Sequence, residues 1–187
     1  MKKIAIFASG GGSNAAHIME KFSNHPHIKV VRVVCNKTGA GVLAIAAQHN
    51  VPTLLIEREK FFHGDAYIPE LKADGTDFIV LAGFLWKLPS ALIKAYPQRI
   101  VNIHPALLPN YGGKGMYGHH VHQAVVDNKD QQSGITIHYV DEQYDHGHTI
   151  FQATCPVLPD DTADTLARRV LALEHKYYPQ VIEELLS

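Results

Sequence analysis

A chain of 187 residues with 17 basic and 18 acidic side chains has a net charge of -1, which gives it no general pull toward nucleic acid or an acidic membrane surface. The length fits one domain that buries roughly two-thirds of its unfolded surface, and no stretch approaches the ~20 apolar residues of a membrane helix. Cys35 and Cys155 stand far apart in apolar runs without a CxxC pair, so a zinc ribbon or dithiol motif has no support and buried thiols in a reducing compartment are expected.

At the N-terminus the basic residues Lys2 and Lys3 precede a short apolar run that stops at Ser9-Gly10-Gly11-Gly12, with no export-type cleavage pattern. A cytoplasmic protein is expected. Short β-branched runs at 3–8, 29–35, 53–56, 78–82 and 100–103 read as strands. They alternate with segments at 14–22, 42–50, 66–73 and 90–96 that are richer in Ala, Leu, Glu and Lys. This alternation predicts a doubly wound α/β fold, with a mostly parallel central sheet and helices on both faces. After His104 the pattern changes. A Pro-, Gly- and Tyr-rich loop runs to about Gly118, a short helix is predicted over 119–128, and two further strands over 134–140 and 149–157 form an antiparallel C-terminal region. Asp161-Thr162 opens a last helix over 163–186. No repeat or linker separates a second domain, so residues 1–187 read as one domain.

Ligands of open α/β sheets bind outside the carboxyl ends of the strands, which directs attention to the loops after Ala8, Ala82, Ile103 and Val140. The first is Ser9-Gly10-Gly11-Gly12-Ser13-Asn14. Glycines allow a tight turn and close backbone approach to an anion, and Ser13 and Asn14 are expected to cap the following helix. A tight turn with a good cap would need the same residues. G-x-G-x-x-G is incomplete, because Ala15 takes the last position, and Cys35-Asn36-Lys37 supplies no acidic residue at the end of the second strand. A dinucleotide site is therefore disfavoured, and no Walker pattern is present.

In Ile100-Val101-Asn102-Ile103-His104-Pro105 the strand period puts Asn102 and His104 on one face, and His104-Pro105 then turns the chain out of the sheet. An amide donor beside an imidazole suits acyl transfer, since both can hydrogen-bond a developing oxyanion. The same pair could equally satisfy loop backbone. Asp145, in a loop near the same sheet edge, is a carboxylate able to orient His104, with Asp141 and Glu142 as rivals. Thirteen histidines invite a metal site with two ligands from His119-His120-Val121-His122 and His104 as a third, but HExxH is absent and the i, i+2 spacing of His120 and His122 separates them on a helix. No metal is expected.

With Asn102-Ile103-His104-Pro105 followed by Leu107-Leu108-Pro109, the chain resembles the folate-dependent formyltransferases, which share an N-x-H-P-S/A-L-L-P segment and a downstream aspartate. The glycine loop narrows the resemblance to the branch acting on phosphoribosylglycinamide in purine synthesis. The likeness spans essentially the whole chain and implies a single domain of Rossmann-like formyltransferase fold, with a phosphate-binding α/β half at 1–100 and a catalytic and folate-binding half at 101–187. It also implies formyl transfer from 10-formyltetrahydrofolate, a co-substrate, to the glycine amine of that phosphosugar, with no tightly bound cofactor, in a monomer or homodimer.

By motif, the resemblance makes Asn102, His104 and Asp145 the catalytic residues. It assigns Gly12, Ser13 and Asn14 to the substrate phosphate and Glu174 to its ribose. Leu85, Trp86, Lys87 and Leu88, together with Asn102 and the loop residues Asp141, Glu142 and Tyr144, fall at folate-binding positions. His120 falls near the reacting centre, and a cis bond is implied at Leu108-Pro109. Departures are Leu85-Trp86 where the family often has Met-Arg, Asp145-His146-Gly147 where it has Asp-Gly-Gly, and a longer 112–118 loop that is a candidate lid. A formyltetrahydrofolate hydrolase would not need the glycine loop, and a tRNA formyltransferase would need a second, basic domain. A phosphosugar-binding module would leave Asn102, His104 and Asp145 without a purpose.

Overall fold

The computed structural model describes residues 1–187. Seven strands form one sheet in the order β3-β2-β1-β4-β5-β6-β7. They are β1 (Lys2–Ala8), β2 (Ile28–Cys35), β3 (Thr53–Leu55), β4 (Phe78–Leu81), β5 (Ile100–His104), β6 (Gln132–Tyr139) and β7 (Thr149–Pro156). Parallel pairing joins β1 to β2 and β4, and β2 to β3, while β6 and β7 pair antiparallel. The doubly wound α/β expectation, with its antiparallel C-terminal region, holds.

The chain forms two compact units, residues 1–101 with 179–187, and residues 102–178. In the first, β1 shows why the parallel strands read as continuous apolar runs. Ile4, Ala5, Ile6, Phe7 and Ala8 are at most 1% exposed, so both faces of the strand are covered. Helix α1 (Ser13–Phe22) buries Asn14, Ala15, Ile18, Met19 and Phe22, the i, i+4 stripe of a helix lying on a sheet. Helices α2 (Gly41–Gln48), α4 (Ile68–Ala73) and α5 (Ser90–Ala95) fall where helices are predicted. Helix α3 (Arg58–Phe62) was not expected, because its five residues are too few to show a period.

In the second unit, β6 and β7 pair from Gln132 opposite Pro156 to His138 opposite Thr149, with a bulge between Ile137 and His138 that skips Ile150. Helix α6 (His119–Asp127) precedes them and α7 (Ala163–Leu186) follows. The start of α7 fits its sequence signals. Thr165 donates its backbone N–H to the Thr162 hydroxyl, and Thr162 donates its own N–H to the Thr165 hydroxyl, a reciprocal cap. Asp161 accepts from the Leu158 N–H and holds Arg169 at 2.6 Å. Both cysteines are buried and free.

Candidate functional site

In the first unit, β1 ends at Ala8 and the glycine loop follows. Gly12, with φ 79°, is the N-cap of α1, and no side chain caps the helix. This corrects the expected capping by Ser13 and Asn14. The left-handed turn at Gly12 starts the helix one residue earlier, so Ser13 lies exposed in the first turn and Asn14 is buried. Only glycine fits at position 12, since a Cβ there would lie 2.7 Å from the Val42 Cβ in addition to the positive φ. The Val42 N–H of α2 donates to the Gly10 carbonyl at 3.1 Å, so the starts of two helices meet at this loop. At Gly10 and Gly11 a side chain would meet nothing, which leaves the backbone open to an approaching group. Two helix N-termini beside open glycine backbone suit an anion.

Ser9 has a role the sequence did not disclose. It is 2% exposed, its N–H donates to the Gly83 carbonyl, and its hydroxyl accepts from the Leu85 N–H at 3.0 Å. Ser9 thereby ties the glycine loop to the 83–88 segment. There Leu88 is buried and Leu85 exposed, while Trp86 packs against Phe61, Phe62 and Phe84 with the Arg58 guanidinium over its ring. Lys87 lies exposed.

In the second unit, β5 presents Asn102 and His104 on one face, as its period requires, and ends at His104. His104 is 3% exposed. Its Nε2 lies 2.7 Å from the Tyr111 carbonyl. A carbonyl only accepts, so Nε2 carries a proton and donates it. The other ring nitrogen, Nδ1, faces Asp145 Oδ1 at 3.4 Å. Asp145 has φ 52°, an uncommon conformation that Asp tolerates better than most residues, and it accepts from the Gly113 N–H at 3.1 Å. The rivals are occupied or exposed. Asp141 accepts from His146 at 2.7 Å and from the Gln143 N–H, while Glu142 points to solvent. Burial pulls the Asp141 carboxyl upward, but these hydrogen bonds outweigh it and hold the group below its ordinary value. Tyr144 is exposed on the same loop.

A fourth polar group, His138 on β6, was missed in the sequence. It is 2% exposed, donates Nδ1–H to the Tyr139 carbonyl, and turns Nε2 toward the Asn102 amide at 3.4 Å and Asp145 Oδ1 at 3.8 Å. Burial is the main reason its pKa lies below the ordinary histidine value, so the ring is neutral and its Nε2 is an acceptor for the Asn102 amide. The strand period puts His138 on the same face as Thr136, but among 13 histidines that gave no reason to choose it.

The loop after β5 is held from several sides. The Leu108 N–H donates to the Thr136 hydroxyl, which donates to the Ala106 carbonyl, and the Gln152 amide donates to the Leu108 carbonyl. The Leu108-Pro109 bond is cis.

The α6 histidines go separate ways. His119 faces Asp164 at 3.6 Å, His120 is exposed with its edge against Tyr117, and His122 is buried with Nδ1 unpartnered. Burial first, then the neighbouring His119 and His104, lower the His122 pKa to about 4. Glu174 is half-buried on α7. Chemically, the second unit offers an amide donor, an imidazole with one nitrogen fixed as a donor, and a carboxylate facing the other nitrogen.

A family model described as formyl transferase matches residues 2–182. Among curated relatives, the chloroplastic phosphoribosylglycinamide formyltransferase of Arabidopsis thaliana is 43% identical over 97% of this chain, which spans 64% of that protein's length. The phosphoribosylglycinamide formyltransferase of Bacillus subtilis is 35% identical, with 100% of this chain and 96% of that one covered. Among solved structures, glycinamide ribonucleotide transformylase 1 from Geobacillus kaustophilus matches with a TM-score of 0.90 at 34% identity, with 100% of both chains covered.

Proposed function

The chain belongs to the formyl transferase family, and from that premise we propose that it moves a formyl group from 10-formyltetrahydrofolate to the glycine amine of N1-(5-phospho-D-ribosyl)glycinamide, a step of purine synthesis. The observation that carries this reading is the line formed by the Tyr111 carbonyl, the His104 ring and the Asp145 carboxylate, with Asn102 beside them on β5.

The neutral amine attacks the formyl carbon, forming a C–N bond and an oxyanion. Asn102 donates a hydrogen bond to that oxygen as charge develops, and His104 joins it only through Nδ1, since its Nε2–H is held by the Tyr111 carbonyl. A proton on His104 Nδ1 faces Asp145, so the carboxylate favours the imidazolium as the oxyanion forms. The attacking nitrogen gives up a proton with help from Asp145, the folate N10 gains one, and the C–N10 bond breaks to release tetrahydrofolate and the N-formyl product. No step calls for a metal or a tightly bound cofactor.

The open glycine backbone and two helix N-termini support Gly12, Ser13 and Asn14 as the cradle of the substrate phosphate, with Glu174 for the ribose. Leu85, Trp86, Lys87 and Leu88 with Asp141, Glu142 and Tyr144 are the proposed folate contacts, and His120 a wall of the reacting centre. Residues 1–100 would then serve the phosphate and 101–187 the chemistry. The charge of -1 supports small-molecule substrates rather than nucleic acid, and no helix is long and apolar enough to cross a membrane. The same reading makes the enzyme cytoplasmic, and monomeric or homodimeric.

The test is absorbance on mixing the protein with 10-formyl-5,8-dideazafolate, with and without phosphoribosylglycinamide. Deformylation only with the acceptor is the expected result. Deformylation regardless of acceptor would make the chain a hydrolase, and none with folded protein would leave a binding module.

A further inference from the structure

His104 and Asp145 are both held by one short stretch of backbone. The Tyr111 carbonyl takes the Nε2 proton of His104 at 2.7 Å, and the Gly113 N–H, two residues on, donates to Asp145 Oδ2 at 3.1 Å. Any shift of residues 111–113 would therefore move the imidazole and the carboxylate relative to each other. Tyr111 sits at φ 57°, a conformation a bulky residue does not hold unaided.

What holds it is at the far end of its side chain. The phenol donates to Asp130 Oδ2 at 2.6 Å and accepts from the Asn128 amide at 2.9 Å, and that amide also donates to Asp130 Oδ1 at 2.8 Å. Burial first, then the bond to Asp130, raise the phenol above its ordinary pKa, which keeps it a donor. A cleft of about 270 Å³ beside the ring is lined by Tyr111, Asp130, Gln131 and Ser133, so packing alone leaves the ring one open side.

We infer that Tyr111, Asn128 and Asp130 form a clamp that fixes the tautomer and alignment of the His104–Asp145 pair from outside the reacting centre. Tyr111 and its two partners are positioning residues, acting through the 111 carbonyl and the 113 N–H. With Nε2–H committed to the Tyr111 carbonyl, the ring's remaining nitrogen can exchange a proton only on the side facing Asp145. The inference rests on the proposed roles of His104 and Asp145.

The test is Tyr111→Phe, which removes the phenolic oxygen alone. Turnover should fall on the order of 10- to 100-fold, as small misplacements of catalytic groups do, with both KM values near those of the unsubstituted protein. The nitrogen NMR signals of the neutral His104 ring should change from the pure Nε2–H tautomer to a mixture. Asp130→Ala should reproduce both changes, and the double variant should add little to either single one, since both remove one contact. Unchanged turnover, an unchanged tautomer or additive losses would overturn the clamp. If Tyr111→Phe does not fold, Asp130→Ala reads the same contact. The ring signals need no turnover, so a chain without transferase activity whose tautomer still responds would keep the clamp and sink the proposed function.

Discussion

The loop after β1 and the loop after β5 both leave the carboxyl end of a strand, yet they are built from opposite materials. From 10 to 12 the first is bare backbone, shaped by the left-handed Gly12 and the close approach of Val42. The second is a lattice of side chains in which Thr136, Gln152, Tyr111 through its phenol, and Asp145 hold the chain in place. Backbone N–H groups present a fixed field that suits a permanent charge such as a phosphate. A group that must gain and lose a proton needs side chains with two states and neighbours that favour one of them.

The contrast breaks most visibly at the chemistry. His104→Ala or Asn102→Ala should each lower turnover at least on the order of 100- to 1,000-fold, while KM for the phosphosugar stays near its original value. A variant that lost acceptor affinity and kept turnover would reverse the division of labour drawn here.

Acid sharpens the contrast, because only the side-chain region carries a buried imidazole of this kind. With a folded pKa of about 4 against roughly 6.5 unfolded, His122 takes up its proton first in the unfolded chain. Its contribution to stability is present above the unfolded value and is lost as pH falls toward the folded one, a penalty of a few kcal/mol. Denaturant titrations between these limits should show the slope, and His122→Phe should reduce it to the share left by the buried His138.

Gly12→Ala tests the backbone side. The added Cβ meets Val42 at a positive φ, so stability should drop by about 1–3 kcal/mol in a denaturant melt. Affinity for the phosphosugar should weaken, with turnover at saturation nearly kept. Equal loss of turnover would show that this loop also shapes the chemistry.

The smallest effect expected is at Asp161→Asn, which lies outside both loops. Losing the charge-assisted bonds to Arg169 should cost about 1.5 kcal/mol at neutral pH and leave turnover alone. The hydrogen bond from Arg169 holds the Asp161 carboxyl well below the ordinary carboxylate range. Its contribution is therefore present above the unfolded value of roughly 4 and fades as pH falls through the folded one, so the gap between variant and parent should close in strong acid.

What could be read in the sequence follows the same division. Period two in β5 puts Asn102 and His104 on one face from the residues alone, and the glycine run marks a turn tight enough for an anion. Local pattern fixes such things. It did not rank Asp145 above Asp141 and Glu142, because that choice depends on which loop carboxylate reaches a residue some forty positions earlier. His138 and Tyr111 stayed hidden for the same reason, their meaning lying wholly in long-range partners. At the start of α1 the sequence offered two good capping side chains and a glycine, and the steric fit against Val42 decided for the glycine.

The closing residues 179–187 pack with the first hundred, where Glu183 meets Lys21 and His25 of the opening helix at 3.4 Å. The unit built on the first hundred residues thus also needs a segment far downstream. During synthesis α1 leaves the ribosome long before the turn that pairs with Lys21 and His25, a non-local closure of the kind that slows folding. Loss of residues 179–187 should accordingly harm the amino-terminal half first, and a chaperone holding the nascent chain would find its exposed apolar surface there.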